Sequence, residues 1–158
     1  MTTRAARISD ARAIARIYNQ GIEDRVATFE TRLRSAPDIE QWFNGRHPLL
    51  VAEAEEKVIA FASTSTYRPR ECYAGIAECS VYVAREARGH GAGKAVLTAL
   101  HDAARAAGFH KLVSRVFPEN EASLKMLDSL GWRRVGIYHR HARLDGVWRD
   151  VVIVEKLL

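Results

Sequence analysis

The chain has 158 residues, of which 47% are hydrophobic, so it is long enough to bury the core of one domain, and we expect a single domain over residues 1–158. Its 24 basic and 19 acidic residues give a net charge of +5, which suits an anionic partner. The basic residues are dispersed and match no nucleic-acid-binding motif, so we expect no nucleic acid.

We expect no signal peptide and no membrane partner, because no apolar run approaches the ~20 residues of a membrane span. Cys72 and Cys79 have neither the spacing nor the partner histidines of a metal site. We therefore expect reduced thiols in a cytoplasmic protein that binds no metal.

Hydrophobic periodicity and turn-forming residues predict alternating strands and helices along the chain. Ser9 or Asp10 suits the N-cap of the first helix and Gly21 suits its end, while Pro37 suits the first turn of the second helix. The predicted elements are, in order, a strand over 4–8, a helix through 20, a helix after 35 with an apolar stripe reaching 43, a hairpin of strands over 49–53 and 58–67, a strand over 75–83, a helix over 92–107, a strand over 111–116, a helix from 120 to 130, and a hairpin of strands over 133–141 and 147–156. This order predicts an α/β fold.

The strand over 75–83 ends in a basic, glycine-rich turn that leads into an alanine-rich helix. Gly89, Gly91 and Gly93 allow a tight turn whose N–H groups lie at the positive end of the helix, which suits a phosphate. Arg88 and Lys94 add positive charge at its two ends. The turn is interpreted either as a pyrophosphate site or as a glycine-rich connection with incidental basic residues, and it matches neither the Walker nor the dinucleotide-binding pattern.

Glu78 is a carboxylate within an otherwise apolar predicted strand. Strand alternation places Glu78, Ser80 and Tyr82 on one face and their neighbours on the other. A carboxylate there is costly unless it is paired or functional. The two interpretations are an ion pair with a neighbour such as Arg68 and a catalytic role.

The glycine-rich turn resembles the Arg/Gln-x-x-Gly-x-Gly/Ala signature of the GNAT superfamily of acyl-CoA-dependent N-acetyltransferases, here over residues 88–93. Other segments resemble the phosphinothricin acetyltransferase branch of that superfamily, and together they cover nearly the whole chain. These segments are residues 17–22, 78–83, 119–123, 130–132 and 148–151. The run 21–30 is most similar to members that acetylate arsinothricin.

The resemblance implies a GNAT fold, with a mixed, mostly antiparallel central sheet flanked by about four helices and splayed where the strand ending at Val83 parts from the strand over 111–116. It implies acetyl-CoA as cosubstrate. The implied acceptor is the α-amine of a small glutamate-like amino-acid analogue, such as phosphinothricin, arsinothricin or methionine sulfoximine, whose acetylation gives resistance by detoxification. We also expect a homodimer.

The resemblance further implies roles for particular residues. The family's proposed general base matches Glu78, which is therefore the candidate catalytic residue, and the backbone N–H of Val81 would polarise the thioester carbonyl. Asn120 and Ser123 also have structural interpretations, the first as an N-cap and the second as an exposed helical serine. His90 is expected to contact the cofactor through its backbone rather than its ring. The candidate cofactor-binding residues are Val81, Tyr82, Val83, Arg88, Gly89, His90, Gly91, Ala92, Gly93, Lys94, Asn120 and Ser123.

The candidate substrate-binding residues are Phe29, Arg68, Arg70, Glu71, Cys72 and Tyr73. The two arginines suit a carboxylate together with a phosphinate- or arsinate-like group, and surface charge is the competing interpretation. Leu127 departs from the branch, in which a histidine often occupies this position, because leucine cannot protonate the leaving thiolate. Tyr138, His139 or water would then serve as the acid that protonates the thiolate, or no acid is needed.

Two other functions stay open on the sequence. One is a GNAT enzyme that acetylates a polyamine, an aminoglycoside or a protein N-terminus. The other is a module that binds acyl-CoA without catalysis.

Overall fold

The computed structural model describes residues 1–158 and contains a seven-stranded sheet in the order β1-β2-β3-β4-β5-β7-β6. All neighbouring strands are antiparallel except β4 and β5, which are parallel. The elements are β1 Thr2–Ala5, α1 Ala11–Asp24, α2 Ala36–Glu40, β2 Leu49–Ala54, β3 Lys57–Thr66, β4 Ile76–Val83, α3 Ala92–Ala106, β5 Lys111–Val116, α4 Glu121–Ser129, β6 Arg133–Leu144 and β7 Val147–Leu157. The predicted α/β class, the order of elements and the mixed, mostly antiparallel sheet are confirmed.

The sheet is splayed between its two parallel strands. Their pairing covers only three positions and ends at Glu78 opposite Val113. Beyond that point β4 continues along β3, whereas β5 continues along β7. The predicted splay is therefore confirmed, and it opens a gap beside the second half of β4.

The two faces of the sheet bury separate apolar clusters. On one face α3 and α4 pack against Ala77 and Cys79 of β4. On the other face α1 packs against Phe61 of β3 and Tyr82 of β4. Odd-numbered and even-numbered residues of β4 thus contribute to different faces, as strand alternation predicts.

Gly21 does not end the first helix, and that prediction is wrong. The helix α1 runs on to Asp24 and is terminated by Arg25, whose φ of 58° is left-handed. Gly21 is instead a packing glycine, because a Cβ at this position would lie 2.6 Å from the ring of Tyr82. The missing side chain lets α1 lie directly on β4.

Two other predicted elements are shorter than expected. The first strand ends at Ala5, and Ile8 belongs to a 3-10 turn that precedes α1. The second helix has the expected cap, in which the Ser35 hydroxyl accepts from the N–H of Asp38, but it ends at Glu40. The apolar stripe after it still packs inward, since the Trp42 ring contacts Tyr18 and Phe61. No helix is long and apolar enough to cross a bilayer.

A buried polar pair joins α3 to the start of β6. The indole Nε1–H of Trp132 donates to Nε2 of His101 at 3.1 Å, which requires a neutral ring with its proton on Nδ1. Burial lowers the pKa of His101 below its ordinary value of 6.5. The folded protein therefore keeps His101 neutral at pH values where the unfolded chain protonates it.

We predict that the free energy of unfolding decreases as the pH falls from 6.5 towards the lower pKa of folded His101. In this interval the unfolded state binds more protons at His101 than the folded state does, so this residue costs at most about 1.4 kcal/mol of stability per pH unit. The His101→Gln variant, whose amide oxygen can still accept from Trp132, should lose this part of the slope. The variant of an exposed histidine, His141→Gln, should retain it. Urea denaturation between about pH 5 and 7.5 measures the slopes, and equal slopes for wild type and His101→Gln would contradict the prediction.

Candidate active site

The gap beside β4 joins two larger cavities. A groove of about 580 Å³ lies between the turn before α3 and the start of α4. A second cavity of about 330 Å³, which we call the acceptor cavity, lies beyond the gap and is lined by Glu78, Phe29 and Arg115 among others. A small cavity of about 50 Å³ within the gap shares Val81 and Tyr82 with the groove and Arg115 with the acceptor cavity. The three cavities therefore adjoin one another along the gap.

The glycine-rich turn forms one wall of the groove. Gly89 and Gly91 have φ values of 81° and 85°, which favour glycine, and Gly91 is the N-cap residue of the 15-residue helix α3. Gly93 has a different role from the one predicted, since a Cβ there would lie 3.2 Å from both Met126 and Val83. Its function is close packing of α3 against β4. Free N–H groups of the first turn of α3 therefore lie at the groove, where they suit an anion.

Arg88, Lys94 and Lys125 give the groove its positive charge. Asp24, at the end of α1, holds the turn in place through ion pairs of 2.8 Å to both Arg85 and Arg88. Hydrogen bonding to Arg85, reinforced by Arg88, lowers the pKa of Asp24. Because Arg88 Nε also donates to the carbonyl of Val83 at 3.3 Å, this arginine joins the end of β4 to the end of α1.

Asn120 closes the groove from the other side. Its Oδ1 accepts from the N–H of Ser123 at 3.3 Å, so it is the N-cap of α4, as the structural interpretation predicted. Its Nδ2 donates to the carbonyl of Val26 at 3.4 Å and ties the cap to the segment after α1. Asn120 and Ser123 both line the groove.

The backbone of β4 presents a free N–H group to the gap. The carbonyl of Cys79 points towards β5, because it accepts from the Ser114 hydroxyl at 2.8 Å. The N–H and C=O of Val81 point the same way by strand alternation, beyond the last β4–β5 pair. The N–H of Val81 is therefore available to a ligand in the gap. The Cys79 thiol is no nucleophile here, since burial raises its pKa to about 12.

Glu78 and Arg115 form an ion pair at the edge of the acceptor cavity, with 3.0 Å between Oε1 and Nε. Their side chains are 29% and 41% exposed, so a ligand in the cavity can reach both. The ion pair suggested with Arg68 is not formed, because the Arg68 guanidinium lies over the Tyr67 ring and donates to the Tyr67 carbonyl.

Aromatic rings form the remaining walls of the acceptor cavity. The rings of Phe29 and Phe117 meet edge to face, with 4.9 Å between their centroids. Tyr18 and Tyr82 meet in the same way at 5.0 Å, and burial raises the pKa of each phenol. Both phenols therefore stay protonated at neutral pH. Glu30 adds a carboxylate, which pairs with Arg34 outside the cavity.

The structure brings most of the predicted site residues together. The groove is lined by the predicted residues Val81, Tyr82, Val83, Arg88, Gly89, Gly91, Ala92, Gly93, Lys94, Asn120 and Ser123. His90 lies within the turn, but its ring turns back and Nδ1–H donates to the Arg88 carbonyl. Leu127 is buried and lines only the gap, while Tyr138 and His139 are exposed on β6 and line none of the three cavities.

The segment after β3 lies apart from these cavities. Arg68, Arg70, Glu71, Cys72 and Tyr73 line neither the groove nor the acceptor cavity, and the last three form an exposed 3-10 turn. Their roles in acceptor binding stay predictions.

Sequence reasoning missed four parts of the cavity lining, which are Arg115, Lys125, Met126 and the segment Val26–Ala27 after α1. Arg115 had a detectable signal, because it interrupts an apolar strand just as Glu78 does. Met126 and the segment after α1 had none, since their place in the groove depends on how α4 and α1 approach β4.

The comparisons with known proteins agree on the type of protein. Residues 14–132 match the Acetyltransferase (GNAT) family. An L-methionine sulfoximine/L-methionine sulfone acetyltransferase of Pseudomonas paraeruginosa is 32% identical over 157 residues, which cover 96% of this chain and 91% of the relative.

Two solved structures match nearly the whole chain. A ribosomal-protein-alanine N-acetyltransferase from Brucella melitensis has a TM-score of 0.95 at 33% identity and covers 100% of both chains. A GNAT superfamily phosphinothricin acetyltransferase from Sinorhizobium meliloti, in complex with AcCoA, has a TM-score of 0.91 at 30% identity and covers 99% of this chain and 88% of that one.

Proposed function

The chain belongs to the GNAT acetyltransferase family, as its resemblance predicted, and we propose that it transfers the acetyl group of acetyl-CoA to the α-amine of a small glutamate-like amino-acid analogue. Phosphinothricin, methionine sulfoximine and arsinothricin are the proposed acceptors, and acetylation would detoxify them. The observation that supports this most directly is the continuous path from the groove through the gap to Glu78.

The groove has the chemistry that acetyl-CoA requires. The first turn of α3 offers N–H groups to a pyrophosphate, and Arg88 and Lys94 neutralise its charge. Gly93 permits the close approach of α3 and β4, and Val81, Val83 and Met126 give the groove apolar walls. The bound acetyl-CoA supplies an activated thioester.

Glu78 is the proposed general base. An amine that reaches the acceptor cavity is mostly protonated at neutral pH, and only its free form can attack a thioester. Glu78 lies at the point where β4 and β5 separate, at the edge of the acceptor cavity. It accepts the proton of the ammonium group directly or through water.

The N–H of Val81 is the proposed donor to the thioester carbonyl oxygen. It lies on β4, the strand that also carries Glu78, and it points into the gap, where negative charge develops during attack. The free amine forms the nitrogen–carbon bond, the carbon–sulfur bond breaks, and the departing thiolate takes the remaining extra proton of the attacking nitrogen, so no protein acid at Leu127 is required. Direct transfer is favoured over an acyl-enzyme because the Cys79 thiol stays protonated.

The acceptor cavity suits a small substrate with an apolar stem. Phe29 and Phe117 offer aromatic surface to such a stem. Arg68 and Arg70 remain proposed partners for a phosphinate- or arsinate-like group, together with the neighbouring Glu71, Cys72 and Tyr73.

One observation favours a different acceptor. Glu30 and Glu78 both line the acceptor cavity, and two carboxylates suit a cationic amine such as a polyamine. Each of them, however, already has an arginine partner, Arg34 and Arg115 respectively. The acceptor cavity is therefore close to neutral, which is more consistent with a zwitterion.

The release of coenzyme A thiol from acetyl-CoA in the presence of different acceptors tests the proposed function. The panel contains phosphinothricin, arsinothricin, methionine sulfoximine, glutamate, spermidine, an aminoglycoside and a short peptide. We expect turnover confined to the amino-acid analogues. Turnover with only cations or peptides would overturn the proposed acceptor, and acetyl-CoA binding without any turnover would overturn the catalytic function.

We predict that Glu78→Gln lowers kcat by roughly 10²–10⁴-fold, because the amide cannot accept the proton. Calorimetric titration should show acetyl-CoA affinity nearly unchanged, since Glu78 does not line the groove. Glu155→Gln is the matched control, because Glu155 is also a strand glutamate with ion pairs, to Lys111 and Arg133, outside the cavities. If Glu78→Gln loses folding and acetyl-CoA binding together with turnover, the residue is structural.

We further propose that the exposed β6–β7 hairpin pairs with a second copy of the chain. Nearly all of β6 is exposed, and the hairpin carries five large apolar side chains that are each 46% to 61% exposed. They are Val135, Ile137, Tyr138, Val147 and Trp148. Exposed apolar side chains that cluster on one hairpin are typical of a surface that is buried in an assembly, and a symmetric dimer is the commonest assembly.

We predict that wild type sediments as a dimer and that Ile137→Glu sediments as a monomer at the same concentration, because the new charge would be desolvated in the interface. Leu33→Glu, which changes an equally exposed leucine outside the hairpin, should remain dimeric. A monomeric wild type would contradict the proposal.

A further inference from the structure

Arg115 is the one cation among the residues that line the acceptor cavity. It comes from β5, on the far side of the gap from Glu78, and its guanidinium crosses the gap to reach the Glu78 carboxylate. A carboxylate and a guanidinium therefore lie side by side where the acceptor amine must be deprotonated.

We propose that the Glu78–Arg115 pair recognises the zwitterionic head of an α-amino acid, with Arg115 binding its α-carboxylate while Glu78 binds its ammonium group. Arg115 is then the residue that selects α-amino acids over amines without a carboxylate. The inference rests on the proposed function and assigns the recognition of the acceptor head group to a named side chain.

The geometry of the pair supports this assignment. Glu78 Oε1 contacts Arg115 at Nε, which leaves the two terminal amino groups of the guanidinium for a second acceptor. These groups form the fork that binds carboxylates through two parallel hydrogen bonds. In an α-amino acid the ammonium and the carboxylate are attached to one carbon, so the two charges reach adjacent partners of opposite sign.

Charge balance explains why the pair is formed in the free enzyme. Without a ligand, Glu78 and Arg115 neutralise each other, so neither charge is left unpaired in a partly buried cavity. A zwitterion adds two contacts to this pair, its ammonium to Glu78 and its carboxylate to the terminal amino groups of Arg115, with no change in net charge.

An amine without a carboxylate can make only one of these contacts. The terminal amino groups of Arg115 would gain no partner, so the acceptor would bind less tightly. We therefore expect the wild-type enzyme to discriminate against such amines through KM.

The test compares L-methionine sulfone with its α-carboxamide, two acceptors with the same side chain and the same amine position. The ratio of their kcat/KM values is measured for wild type and for Arg115→Gln. We expect wild type to prefer the acid and Arg115→Gln to reduce that preference by about 10- to 100-fold, the usual effect of losing a charge-assisted hydrogen bond. Any general effect of the substitution on Glu78 acts on both acceptors and cancels in the ratio.

Arg105→Gln is the matched control, because Arg105 also pairs with a carboxylate at 3.0 Å, that of Asp102, but lies on α3 outside the acceptor cavity. It should retain the wild-type ratio, and thermal unfolding should show that both variants fold. If Arg115→Gln slows both acceptors by the same factor, Arg115 only positions Glu78 and the inference is wrong, although the proposed function stands. If wild type acetylates amines but neither the acid nor any other amino-acid analogue, the proposed function and this inference both fail.

Discussion

Strands β4 and β5 pair over three positions and then separate, because β4 continues along β3 while β5 continues along β7. Each strand thus keeps its hydrogen bonds on one edge, but the facing edges beyond Glu78 lose theirs. The N–H of Val81 becomes available to a ligand, and the gap connects the groove with the acceptor cavity. Glu78 and Arg115 lie on opposite sides of this division. The splay is therefore what turns a continuous sheet into a site where a thioester and an amine can meet.

The walls of the site depend on two close approaches at glycines. Gly21 lets α1 lie against the ring of Tyr82, and Gly93 lets α3 lie against Val83. Polar contacts then join the elements of the wall to one another. Asp24 ties the turn before α3 to the end of α1, and the Asn120 cap ties α4 to the segment after α1. Positive charge at the groove and a neutralised pair at the acceptor cavity give the two halves of the site different ligand preferences.

Much of the fold could be predicted from sequence because its signals are local. The strand over Lys111–Val116 has the predicted bounds, and α3 begins at the predicted Ala92, since apolar periodicity and a glycine turn mark these boundaries clearly. The Ser35 cap and the Asn120 cap are likewise local hydrogen bonds. Gly21 was misread because its helix-ending tendency is a local preference, whereas its place within α1 is decided by the distant Tyr82. The glycine-rich turn was identifiable because its glycines and cations all lie within residues 88–94.

The sequence by itself determined the order of elements, the basic, glycine-rich turn before α3 and the family, since each depends on residues that are neighbours in the chain. Only the tertiary structure decided the partner of Glu78, which is Arg115 rather than Arg68. It also decided which N–H group faces the gap and which aromatic rings line the acceptor cavity. These features are contacts between β4, β5 and the segment after α1, and the distance between such elements follows from how the sheet splays and how the helices pack. No spacing along the chain encodes that distance.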